Sequence, residues 1–237
     1  MEDGVPSSKM SLRITNKIKL INSSYNIHGY ILEETNAAKY LGVVIDSKLN
    51  WGDQLSAVRN KANKTLAFLR RNLRDCPTHV KAHCYKTLVR PVLEYGCAVW
   101  DPHAVGDIQD LEKIQKRAGR FCTNNYIMEH GNTEMNMSQL NWKPLEERRA
   151  HNKLNLFYKA REGLIEIPFD HVKVNNSSTR RGGRTYQIEH SSVNSHLYSF
   201  FPNSIRLWNS LPDSAKDCRN FEAFKTALDS ITLRSSY

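Results

Sequence analysis

The spacing of apolar residues changes character near Asp46. Before that point Leu12, Ile14 and Ile18-Lys19-Leu20 read as an extended segment. Tyr25–Tyr30 contains a turn, and Ala38–Asp46 is a second, β-branched run. Residues 10–46 are therefore predicted to form a small β unit of two or three strands. After Asp46, Leu55, Val58, Ala62, Leu66, Leu69 and Leu73 recur at steps of three and four, the stripe of an amphipathic helix over 52–74. Pro77-Thr78 ends this helix and opens a second, marked by Val80, Cys84, Leu88, Val92 and Tyr95. Pro91 falls inside that second stripe and must kink or end it, because proline lacks an amide hydrogen and its ring meets the preceding turn. A third helix is predicted over 107–121, with Ile108, Leu111, Ile114, Ala118 and Phe121 on one face. A fourth starts near Pro144, which suits a first helical turn, and carries Leu145, Leu154, Phe157, Ala160 and Leu164. The last holds Phe221, Phe224, Leu228 and Ile231, with Asn220 as N-cap.

Between these periodic stretches, residues 123–137 and 170–196 are rich in Asn, Ser, Gly and Arg and read as connections, the second holding Thr179-Arg180-Arg181-Gly182-Gly183-Arg184. The first eight residues are polar and read as a disordered start. The fold class is mainly α with a small N-terminal β hairpin or sheet, α+β overall.

Composition narrows the function. The 237 residues (27.3 kDa) are 40% apolar, enough for a packed core, and carry a net charge of +10. Such an excess of basic groups suits a polyanionic partner. No apolar run is long enough for a membrane span, and the first thirty residues hold no apolar signal core. Five widely spaced cysteines without a Cys-x-x-Cys pair suit buried thiols in a reducing compartment. The expected location is intracellular, nuclear or cytoplasmic.

The charge is concentrated. Residues 59–90 carry nine basic side chains (Arg59, Lys61, Lys64, Arg70, Arg71, Arg74, Lys81, Lys86 and Arg90) against Asp75 alone, a local excess of eight. Arg59, Lys61, Lys64, Arg70, Arg71 and Arg74 lie off the apolar stripe. A one-sided basic face in helical register suits phosphate contacts; it is equally the pattern of a solvated helix face.

Catalytic constellations are sparse. Cys76, His79 and His83 have zinc-like spacing, with His79 and His83 on one helical face, but no plausible local fourth ligand. Asp46, Asp53, Asp101, Asp107 and Asp110 stand at turns or helix starts, and Asp107 and Asp110 suit the positive end of a helix dipole. No Asp-Asp dipeptide, phosphate-binding glycine loop, nucleophile elbow or His-Glu-x-x-His motif occurs. Trp51, Trp100, Trp142 and Trp208 read as core anchors rather than stacking platforms.

A succession of short phrases adds to this. Lys39–Asp46 followed by Leu49-Asn50-Trp51, then Leu69–Leu73, Leu88–Tyr95, Val99–Pro102, Leu111–Ala118, Leu140–Arg149, Phe200-Phe201-Pro202, Trp208–Pro212 and Phe224-Lys225 occur in that order. Together they resemble the end of the reverse transcriptase of non-LTR (LINE-type, jockey-like) retrotransposons, an RNA-directed DNA polymerase, over about residues 9–231. The resemblance implies a palm remnant of β strands at 9–50 and a thumb-like helical domain at 51–122. A loop at 123–137, a helical extension at 138–169, a flexible basic loop at 170–196 and a C-terminal helical segment at 197–237 complete the division. It further implies that the metal-binding palm aspartates lie before this chain's first residue. The chain is then a truncated copy without polymerase activity of its own. It needs no cofactor, magnesium being expected only in the full-length polymerase. The implied partners are the missing upstream polymerase domains and an RNA or DNA backbone, above all an RNA–DNA hybrid. The backbone would be gripped in a sequence-tolerant way by Arg59, Lys61, Lys64, Arg70, Arg71, Arg74, Lys81 and Lys86. A protein–protein or oligomerisation module derived from a retroelement is the alternative, and a nuclease using dispersed acids a remoter one.

Overall fold

The computed structural model describes residues 11–12, 26–31, 33–127, 129, 131–175 and 185–233. The start at 1–8, most of the first predicted strand (Ile14, Ile18-Lys19-Leu20) and the Thr179–Arg184 loop lie outside the described residues. The fold is mainly α with a small β part. It divides into two compact units, Met1–Ser56 and Ala57–Tyr237.

The first unit contains paired short strands. β1 (Ser11–Leu12) is parallel to β4 (Glu33–Glu34), and β2 (Asn26–Ile27) is antiparallel to β3 (Tyr30–Ile31). β5 (Ala37–Tyr40) and β6 (Val43–Asp46) form a second antiparallel hairpin, with Tyr40 opposite Val43. The Ala38–Asp46 run, read above as a second β-branched run, is folded back on itself. Leu41 (φ 46°) and Gly42 (φ 86°) supply two successive left-handed residues, the conformation that a two-residue hairpin turn needs to match strand twist. The leucine at the first position hid the turn, since asparagine or aspartate is the usual signal there. Gln54 Oε1 accepts the Val44 amide at 2.8 Å, tying the hairpin to the first turn of the next helix.

That helix, α1, spans Gly52–Asn72 and buries Leu55, Val58, Ala62, Leu66 and Leu69, the predicted stripe. Beyond Pro77 come α2 (Thr78–Cys84), a wider π-type turn at Tyr85–Val89 and α3 (Arg90–Glu94). Pro91 sits at the start of α3, just past the wider π-type turn in an otherwise continuous helical stretch. The buried face of this stretch is Lys81, Tyr85, Val89 and Leu93, one residue out of step with the predicted Val80, Cys84, Leu88 and Val92; Leu88 and Tyr95 are exposed. Both stripes repeat every four residues and both are apolar except for Lys81, so periodicity alone did not separate them.

α4 (Cys97–Trp100), α5 (Val105–Thr123), α6 (Asn132–Gln139) and α7 (Leu145–Arg161) follow. α6 occupies much of what reads in sequence as a connection at 123–137. Its inward residues are amides rather than apolar side chains. Asn132 exchanges hydrogen bonds with Asn125 (2.8 and 3.0 Å), and Asn136 accepts from Thr123 at 3.1 Å. Satisfied buried amides take the place of an apolar stripe, and no periodic signal reports them.

The phrases that carry the family resemblance are largely packing devices around α7. Trp142 stacks on Tyr85 with ring centroids 4.3 Å apart. Glu112 accepts the Glu146 amide at 3.0 Å, supplying the N-terminal cap that Pro144 lacks. Arg148 makes a fork-like pair with Glu94. Arg149 and Lys153, both fully buried, donate to the two oxygens of Asp101 at 2.6 and 2.5 Å. Trp100 and Trp142 are buried, and Trp51 is half-buried. The opposite face of α7 enters a second apolar cluster with α9 (Phe200–Ser210) and α11 (Phe221–Asp229), centred on Phe157, Trp208 and Phe224. Short α8 (Asn194–Leu197) and α10 (Asp213–Lys216) flank α9. Asn220 caps α11 as predicted, accepting the Ala223 amide at 2.8 Å. Leu164 lies beyond α7 and is exposed. Within 170–196, Val174 and Tyr186 pair as an antiparallel bridge, so the described parts of that connection have local order.

Candidate nucleic-acid interface

The basic positions of α1 come to lie beside a second basic helix. Arg59 Nη1 reaches Asp110 at 2.6 Å and Asp107 at 3.7 Å. Arg117 donates to Asn63 Oδ1 at 2.5 Å. A turn or more further on, Ala67, Arg70 and Arg71 share a groove with Phe121. The contacts advance in the same direction on both helices, so α1 and α5 run side by side and parallel. Parallel neighbours need a long crossover, which α2, the Tyr85–Val89 turn, α3 and α4 supply.

Two open grooves follow this seam. One, about 500 Å³, is lined by Arg59, Asn63, Asp110, Lys113, Ile114, Lys116, Arg117 and Arg120. The other, about 710 Å³, is lined by Ala67, Arg70, Arg71, Arg74, Asp75, Phe121, Asn124 and Tyr126. Charge within them is unevenly compensated. Asp110 serves both Arg59 and Lys113 (2.8 Å), and hydrogen bonding from Lys113, with the Arg59 charge, holds its carboxyl below the usual aspartate range. Arg70, Arg71, Arg74, Lys116 and Arg120 make no ion pair with a described residue.

Sequence-predicted contacts thus separate into groups. Arg70, Arg71 and Arg74 are exposed and line the second groove. Arg59 lines the first but is half-buried and paired. Lys61 and Lys64 are exposed on α1 and line neither groove, and Lys86 is exposed on the Tyr85–Val89 turn. Lys81 corrects the expectation: it is fully buried, its Nζ donates to Asn124 Oδ1 at 2.8 Å, and it lies 5.0 Å from the Phe121 ring centroid. It occupies the inward face of α2 and cannot reach a phosphate. The α5 residues Lys113, Lys116, Arg117 and Arg120 line the first groove and were not among the predicted contacts. Their spacing, repeated at three and four, already puts them on one helical face. Their distance along the chain from 59–90 kept the two sets apart.

Other candidate chemistry does not assemble. Cys76 is half-buried and His79 and His83 are exposed. Among the described residues no three His, Cys, Asp or Glu side chains are placed to hold a metal ion. The described cysteines are all unbridged, with Cys97 and Cys122 buried; burial pushes the Cys122 thiol up to about 12. No helix among the described residues is long and apolar enough to cross a membrane.

Comparison with known proteins points to retroelements. The chain is 28% identical over 106 residues, 44% of its length, to a probable RNA-directed DNA polymerase from transposon BS of Drosophila melanogaster. It is 28% identical over 93 residues, 38% of its length, to the probable RNA-directed DNA polymerase from transposon X-element of the same species. The matched stretches are 12% and 10% of those relatives, so the chain spans about a tenth of the polymerases it matches. It is also 26% identical over 143 residues to an uncharacterised protein of Caenorhabditis elegans, covering 60% of this chain and 72% of that protein. No protein-family model matches the chain, and no solved structure matches it. The likeness is to reverse transcriptases of retroelements, partial and at low identity.

Proposed function

We propose that this chain is a retroelement-derived fragment corresponding to the last palm strands, thumb and C-terminal extension of a reverse transcriptase. In this reading it binds nucleic-acid backbone along the α1/α5 seam without adding nucleotides. The observation that carries the reading is the convergence of cations from two separate helices on one pair of grooves. Cations of this kind neutralise phosphates and release counterions, giving sequence-tolerant, salt-dependent binding. An RNA–DNA hybrid, recognised by groove shape and 2′-hydroxyls, is the proposed ligand. Two-metal phosphoryl transfer needs clustered carboxylates, and the sequence has no Asp-Asp pair to supply them. The test is fluorescence anisotropy with a labelled hybrid, paired with a primer-extension assay in magnesium. Binding without extension is expected; extension abolished by substituting a carboxylate of this chain would overturn the non-catalytic part.

A second reading has its own support. Tyr30, Ile31, Tyr40 and Leu41 of the first unit are between 63% and 73% exposed. Such apolar side chains on short, open-edged hairpins favour association with another protein surface. Light scattering that finds a salt-insensitive oligomer with no affinity for the hybrid would favour this reading over the first.

A further inference from the structure

The second groove differs from the first in chemistry as well as position. Its cations are unpaired among the described residues, and it is lined as well by the buried Phe121 and by Asn124 and Tyr126. Asn124 closes α5 in the left-handed conformation (φ 54°). Its side-chain oxygen accepts from Lys81 at 2.8 Å. Lysine is a donor only, so this bond fixes which end of the amide is which and leaves the Asn124 amino group free of it. The Asn124 amino group donates to no described residue, and Tyr126 is 51% exposed with no ring partner among the described residues. Asp75, also lining the groove, disfavours a second anion there.

We propose that this groove is a subsite for one unpaired nucleotide. Arg70, Arg71 and Arg74 hold its phosphate, Tyr126 stacks on its base, and the Asn124 amino group meets an acceptor on the base edge. This deepens the nucleic-acid reading above and rests on it. Backbone cations alone serve duplex and single strand alike, whereas an exposed ring beside them can be used only by a base that is out of its stack. Buried Lys81 acts as a positioning residue: it holds the amide in the donating orientation from beneath.

The experiment measures anisotropy of the full chain with three labelled probes: a single-stranded oligonucleotide, the same strand with abasic sites, and a duplex. Tyr126→Ala is expected to weaken binding of the intact single strand by about tenfold. The same variant should leave abasic and duplex affinities unchanged, and Tyr126→Phe should restore the loss. Equal affinity of Tyr126→Ala and the unsubstituted chain for the intact single strand, with duplex binding present, overturns the subsite and leaves the broader reading standing. No binding of any probe by the unsubstituted chain overturns both.

Discussion

The interior cations Arg149, Lys153 and Lys81 and the groove arginines Arg70, Arg71 and Arg74 are all basic side chains in opposite surroundings. Arg149 and Lys153 are fully buried and share one carboxylate, Asp101, while Lys81 is buried on a neutral amide and an aromatic ring. Arg70, Arg71 and Arg74 are exposed and face no acid within ion-pair distance among the described residues. The difference lies in the partners the fold provides. A charge taken out of water must be given hydrogen-bonding partners or it destabilises the fold, so interior cations belong to packing. A charge left in water with no acid beside it contributes little to folding and remains available to a ligand. Counting basic residues along a sequence mixes the two kinds.

Removing the interior anion breaks this arrangement most severely. Asp101→Ala leaves two buried cations around an empty place and is expected to cost about 3–5 kcal/mol, read by chemical denaturation. Replacing the interior cation that has no anionic partner sharpens the contrast. Lys81→Met keeps the stem and frees the exposed Asn124 oxygen to water, so a change within about 1 kcal/mol is expected. The surface set goes further in the same direction: Arg70→Gln with Arg71→Gln and Arg74→Gln should move stability by no more than about 0.5 kcal/mol. A large loss there would show that these arginines serve the fold after all.

The smallest effect concerns an interior base whose charged form is disfavoured. Burial, with the Lys143 charge, lowers the His151 imidazole below its ordinary value, against the raising influence of Glu147 and Asp229. A lowered basic group contributes stability above its unfolded value and loses it as pH falls through the folded one. Unfolding titrations from about pH 7.5 to about pH 5 should therefore show a decline that His151→Gln flattens.

Much of the helical frame was legible because its residues follow a clean period. The α1 stripe, the α7 start at Pro144 and the Asn220 cap stand where the sequence predicts them. What was not legible depends on partners distant in sequence. Lys81 reads as a surface cation until Asn124, 43 positions away, supplies its acceptor. α6 reads as a connection because its inward face is Asn132 and Asn136, satisfied by Asn125 and Thr123. The same reason separates the site into a visible and an invisible half. Arg70, Arg71 and Arg74 were legible on α1, whereas Lys116 and Arg120 come to line a groove of the candidate site only through the parallel packing of α5.

The salt dependence of hybrid binding tests the central claim most directly. The chain with Arg70→Gln, Arg71→Gln and Arg74→Gln would be compared with the unsubstituted chain across a salt series. For a duplex each lost phosphate contact lowers the slope of log affinity against log salt by about 0.9. The account predicts that the triple substitution flattens the slope by about 0.9, the value for the one phosphate these arginines share, with stability unchanged. An unchanged slope, at unchanged stability, would contradict it and return the α1 arginines to the status of a solvated helix face.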